Sequence, residues 1–158
     1  MKTLRFIIAV IMAFGMSVAA ISQNRVFNNY PDNKEISTVY ISKAAMRLGL
    51  TMGGDDSDMR NIQKCIKNPE GMEIVSATTP SAIALVKKDA AEKMKKLKME
   101  LFLNAQDGGD GVNIYAGRIL DGDVIHDILI EADEPEEYTI VYIRGEIDVQ
   151  ALTNQYKK

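Results

Sequence analysis

MELFLNAQDGGDGVNIYAGRILDGDVIHDILIEADEPEEYTIVYIRG, residues Met99 to Gly145, alternates apolar runs with clusters of glycine, aspartate and proline. The runs Met99–Asn104, Val112–Leu120, Val124–Ala132 and Tyr138–Gly145 are rich in β-branched and aromatic residues, as strands require. Asp121-Gly122-Asp123 tolerates the positive φ angles of a tight turn. Glu134-Pro135-Glu136-Glu137 supplies another turn whose charges discourage edge-to-edge association. Four antiparallel strands in a meander follow.

Upstream the period changes. Pro80 to about Lys98 repeats apolar residues at Ile83, Val86, Ala90, Met94 and Leu97, the three-and-four spacing of a helix with one buried face. Thr79-Pro80 suits its start, since proline is favoured at the first helical position. Ile36–Ile41 (ISTVYI) reads as a strand with Val39 and Ile41 on one face and Thr38 and Tyr40 on the other. Ser42 then caps a helix through Met46, Leu48 and Leu50 that stops near Gly53 and Gly54. A second short helix is expected through Met59, Ile62 and Ile66, opened by Asp55, Asp56 and Asp58 at the favourable end of its dipole and closed by Pro69 and Gly71. Met72–Ala77 reads as a strand, and Asp148 caps a last short helix along Val149, Leu152 and Tyr156. The expected fold is a two-layer α+β domain: strand–helix units, the four-stranded meander and a short C-terminal helix.

Residues 1–22 form the three-part pattern of a cleavable export signal: Lys2 and Arg5, an apolar run from Phe6 to Val18, and small residues at Ala19, Ala20 and Ser22. A spanning helix needs about 20 apolar residues, and this run is shorter and interrupted by Gly15 and Ser17. Cleavage is expected after Ser22 or Ala20, which predicts a periplasmic or secreted protein. Residues 23–35 read as a polar arm, and residues 36–158 as a single domain. The only cysteine, Cys65, is too far inside the chain to carry lipid, and burial is its expected state. No stable membrane anchor remains after cleavage.

Without the signal, 17 basic and 22 acidic residues leave a net charge of −5, which argues against nucleic acid as a partner. That charge is unevenly spread. Lys87, Lys88, Lys93, Lys95, Lys96 and Lys98 crowd one helix, whereas Ile119 to Ile143 holds no lysine or arginine.

Phe27 and Tyr30 in the arm, Val39-Tyr40-Ile41-Ser42-Lys43 before a helix bearing Met46, and the closing Ile143, Gly145, Ile147 and Asp148 form a recurrent pattern. In these places, and after its signal segment, the chain resembles a bacterial family of exported envelope proteins, the domain of unknown function numbered 4252. The resemblance implies an envelope location and an α+β fold, and carries no activity. Many members have a lipid-attachment cysteine, from which this chain departs.

No residue set spells a reaction. His126 is the sole histidine, and a dyad with Asp127 is not expected because successive strand residues face opposite ways. Ser42 and Lys43 are adjacent, but a serine–lysine nucleophile needs geometry that adjacency does not supply. One histidine and one cysteine do not make a zinc site. Asp107, Asp110 and Gly111, like Asp55, Asp56 and Asp58, lack the full calcium loop, and the scattered methionines suit core packing better than copper. No catalytic residue, metal or cofactor is predicted.

The expected function is therefore a non-catalytic binding or interaction module, taking a small ligand or an envelope protein. Tyr40, Tyr115, Tyr138 and Tyr142 are the candidates for an aromatic sheet face. Lys93, Lys95, Lys96 and Lys98 are the candidates for a dock that takes acidic lipid or an acidic partner. The alternatives are a component of an envelope-response regulatory system acting through a protein partner, and a hydrolase-like enzyme using His126. Oligomeric state is not legible.

Overall fold

A computed structural model describes residues 25–27, 30, 33–52, 65–120 and 122–150. The signal segment, Gly53 and Gly54, the aspartates at 55, 56 and 58, the expected helix through Met59 and Ile62, and the C-terminal residues Leu152 and Tyr156 lie outside the described residues. In chain order the elements are β1 (Ile36–Ser42), α1 (Lys43–Met52), β2 (Ile66–Ala77), α2 (Pro80–Leu97), β3 (Glu100–Asp107), β4 (Asp110–Ile119), β5 (Val124–Glu134) and β6 (Glu137–Asp148).

The class is α+β. The sheet, however, has six strands in the order β1-β2-β6-β5-β4-β3, with every neighbouring pair antiparallel. The expected meander, β3 to β6, forms one part of it, and β2 joins at β6 because Met72–Ala77 finds a long apolar partner in Tyr138–Ile143. Local periodicity does not encode that pairing.

Ser42 caps α1 as expected, its Oγ accepting the Ala45 N–H at 3.2 Å. Proline stands in the first turn of α2, and the helix closes at Lys98, whose left-handed φ of 54° turns the chain into β3. The Lys98 N–H donates to the Lys95 carbonyl, satisfying one of the helix-end acceptors. No helix among the described residues is long and apolar enough to cross a membrane.

At 1.5 Å per residue the 18 residues of α2 span about 27 Å, and four strand spacings separate β2 from β3 by about 19 Å. The helix thus has the length needed to carry the chain across β6, β5 and β4. Its buried residues Ala82, Val86 and Ala90 join Val75, Ala77, Leu129, Tyr138, Ile140 and Tyr142 in one core, with Met94, Leu97 and Tyr115 at its margin. A smaller cluster centred on Ala116, Ile125, Ile128 and Ile147 lies apart from it.

Two expectations are corrected. Ile66 opens β2 instead of ending a helix, and Pro69 and Gly71 lie within that strand at a register shift against β6. A bulge removes the demand for a ladder N–H, which is how proline is accommodated in a sheet. β6 continues to Asp148, and only Val149 and Gln150 of the expected C-terminal helix are described. Cys65 is buried, as expected.

Candidate functional site

Of the arm, Phe27 and Tyr30 belong to the core and Val26 packs against it. Glu73, on β2, is 2% exposed, and its carboxylate accepts the Val26 N–H at 2.8 Å and the Phe27 N–H at 2.7 Å. A buried carboxylate is tolerated only when its charge is met by donors, and here the arm backbone supplies them. Phe27 packs edge-on against Tyr142, with ring centroids 6.0 Å apart. Tyr30 donates its hydroxyl to Asp89 Oδ2 at 2.6 Å, and the Arg25 guanidinium lies 4.8 Å from the Tyr40 ring centre.

That arrangement fixes the fate of the tyrosine candidates. Tyr138 and Tyr142 are buried in the α2-facing core, so neither lies on an open face. Tyr138 donates to Glu131 at 2.5 Å and Tyr142 to Asp127 at 3.0 Å. Burial, reinforced by those carboxylates, pushes both phenols well above the ordinary tyrosine range. Tyr30 is raised by burial and by Asp89, and Tyr115 by burial and Glu131. Tyr115 and Tyr40 are half-buried, Tyr40 beneath Arg25. Cross-strand register sets Tyr40, Tyr142 and Tyr115 on one face of the sheet, with Tyr138 in the same core, but Tyr138 and Tyr142 are covered there and no open aromatic face results.

His126 and Asp127 correct a second expectation. Asp127 stands at a β-bulge between β5 and β6, where Arg144 and Gly145 together oppose it, and its left-handed φ of 71° breaks the alternation that should separate the two side chains. Asp127 Oδ1 stands 3.0 Å from His126 Nδ1 and accepts the Gly145 N–H at 3.0 Å, while Oδ2 takes the Tyr142 hydroxyl. Nδ1 thus has a carboxylate oxygen as the acceptor for its proton, and Nε2 lies 3.7 Å from Glu70 Oε1. Gly145, at φ 131°, allows the backbones to close up: a Cβ there would meet the Asn68 carbonyl oxygen at 2.1 Å. The pair lines a small cleft of about 220 Å³ with Leu97, Met99, Gly117 and Arg118. No hydroxyl or thiol stands among those lining residues.

The calcium-like turn is a hairpin: Asp107 pairs with Asp110 across Gly108-Gly109, whose φ angles are 59° and 118°. Among the described residues no group of three metal-ligating side chains is gathered.

The lysines divide. Lys87 binds Asp133 at 2.6 Å and sits over the Tyr138 ring, and Lys93 pairs with Asp89 at 3.8 Å. Lys95, Lys96 and Lys98 are exposed at the end of α2, and among the described residues no salt bridge involves them or Arg118. Directly after them the outermost strand begins. All eight residues of β3 are exposed, including Leu101 at 57%, Phe102 at 52% and Leu103 at 44%. Leu101 lies opposite Tyr115 and Leu103 opposite Ile114, so Phe102 is the extra residue of a bulge. Because Glu100 pairs with Ala116, β4 runs on past the start of β3, carrying exposed Arg118 and Ile119, the latter 66% exposed, to the same corner.

Sequence reasoning found the lysines and missed their apolar neighbours. The signal was present: three consecutive large apolar residues contradict the two-residue period of a half-buried strand, so at least one must face water.

No curated protein and no solved structure matches the chain. A family model described as a domain of unknown function, DUF4252, matches residues 30–154. That span runs from Tyr30 of the docked arm past the end of β6, and the chain belongs to this family.

Proposed function

We propose that this is an exported, non-catalytic interaction module that docks through the corner formed by the end of α2, the start of β3 and the end of β4. The observation that carries the reading is that Leu101, Phe102, Leu103 and Ile119 are each exposed on the two strands at this end of the sheet, next in sequence to cations that no salt bridge among the described residues involves. Exposing such residues forfeits burial energy on folding, and contiguous exposed apolar patches mark interaction sites. The export signal read at residues 1–22 supports action in the cell envelope, where an envelope-response regulatory role through a protein partner is one form of the same reading. A photo-crosslinking amino acid introduced at Phe102 in living cells tests it, with the same group at Leu85 on α2 as control. Adducts concentrated at position 102 are expected, and equal adducts at both positions contradict the reading.

A second reading, acid–base chemistry at His126, is favoured by the bulge that turns Asp127 onto its Nδ1. A strained non-glycine φ held by a hydrogen-bonded network is a frequent companion of active sites. It takes second place because the cleft supplies no nucleophile. Hydrolysis of a panel of chromogenic esters, abolished by His126→Gln, would promote this reading. Equal turnover by the variant would remove it.

A further inference from the structure

We propose that the partner of this corner is the surface of an anionic lipid bilayer; the inference rests on the interaction-module reading above and names its occupant. Of the seven large apolar side chains exposed among the described residues, four lie here: Leu101, Phe102, Leu103 and Ile119. Lys95, Lys96 and Lys98 precede β3 and Arg118 precedes Ile119, with Glu100 as the one acidic residue between Lys95 and Leu103 and the aspartates of the Asp121-Gly122-Asp123 segment following Ile119 in sequence. This is a cationic corner on a chain whose net charge is negative, and its charge complements phosphate headgroups.

Its shape discriminates between occupants. A protein partner that extends the sheet needs an unbroken edge ladder, but β3 is bulged at Phe102, in the middle of the apolar run. The same bulge serves a fluid interface at the sheet edge: Leu101 lies opposite Tyr115 and Leu103 opposite Ile114, so the two leucines belong to opposite faces with Phe102 the extra residue between them, and the edge itself presents all three. Protein hot spots favour rigid aromatics and arginine seated in pockets. Here three of the four cations are lysines, whose long stems lie along apolar surface while their ammonium groups reach polar headgroups. Leu101, Phe102, Leu103 and Ile119 enter the boundary between headgroups and acyl chains, and the cations hold the phosphates above them. Each basic side chain at an anionic surface contributes about a fivefold gain in partitioning. Binding is peripheral and reversible, and it falls with salt.

The test uses the chain from Gln23 onward, which keeps every described element and removes the apolar run at Phe6–Val18 that would itself bind lipid. Co-sedimentation is measured with phosphatidylcholine vesicles and with vesicles of phosphatidylcholine mixed with phosphatidylglycerol. At least tenfold better retention on the anionic vesicles is expected, weakening as salt rises. The triple variant Lys95→Gln, Lys96→Gln, Lys98→Gln and the double variant Phe102→Ser, Leu103→Ser should each lose about tenfold or more with unchanged thermal unfolding midpoints. Equal retention on both vesicle types, or full retention by both variants, overturns the lipid assignment. If vesicles fail while crosslinks at position 102 persist in cells, the bilayer is wrong and the interaction surface stands; if both fail, both readings fall.

Discussion

β6 and β3 belong to one sheet and are nearly opposite in character. β6 buries seven of its twelve residues, whereas β3 buries none of its eight. β6 has β2 on one side and β5 on the other, and α2, Phe27 and Tyr30 share a core with it. Among the described residues β3 has a neighbour on one side only, and it is bulged where its largest side chains stand. The difference separates two uses of apolar residues. In β6 they hold the fold, and in β3 they are spent on the outside, where contact with something else is their only return.

If that division is right, disturbing the centre costs stability and disturbing the edge does not. The largest expected effect is alkaline. The Tyr30, Tyr138 and Tyr142 phenols are held protonated by burial, then by Asp89, Glu131 and Asp127, above the ordinary value of about 10 to which they return on unfolding. A raised folded value gives stability that is complete below pH 10 and is lost as pH rises above it, because the unfolded chain releases protons that the native one keeps. Three such groups give a slope of about 4 kcal/mol per pH unit above pH 10. Urea unfolding across that range measures it, and Tyr142→Phe should reduce the slope by about a third.

Leu129→Ala, at the fully buried centre of β5, should cost about 2–5 kcal/mol through lost burial and a residual cavity. Glu73→Ala should cost about 2 kcal/mol, since it leaves the Val26 and Phe27 N–H groups without an acceptor. Limited proteolysis should then cut the arm first, and cleavage that begins elsewhere would show that Glu73 is not its latch. At the other extreme, Phe102→Ser should change unfolding free energy by less than about 0.5 kcal/mol, as expected where a side chain packs against little. A loss comparable with that of Leu129→Ala would break the comparison.

Elements written in local periodicity were legible. The three-and-four spacing from Ile83 to Leu97 predicted α2, and the alternating runs after Met99 predicted the meander. Pairings between distant strands were not, since nothing in Met72–Ala77 states that Tyr138–Ile143 is its neighbour. Pro69 and Gly71 misled because the same residues that stop a helix also mark a bulge in a strand. The bulge at Asp127 was hidden for a related reason: a two-residue period is assumed until a third strand, here β6 with its Gly145 N–H, makes the exception favourable. Glu73 left a faint trace as a carboxylate inside an apolar run. Its role depends on arm residues some 47 positions away. Of the candidate site, the cations at Lys95, Lys96 and Lys98 were readable as charge, but that no salt bridge among the described residues involves them, with Glu92 and Glu100 close in sequence, is a property of the fold.

Hydrogen exchange of the folded protein, read residue by residue with and without vesicles containing phosphatidylglycerol, tests the division between centre and edge most directly. Without lipid, amides of β5 and β6 should exchange only through global unfolding and those of β3 far faster. With lipid, protection should rise at Glu100–Leu103 and at Lys98 and stay unchanged in β6. Protection of β3 equal to that of β6 in the free protein, or a lipid response confined to another face, would contradict the account.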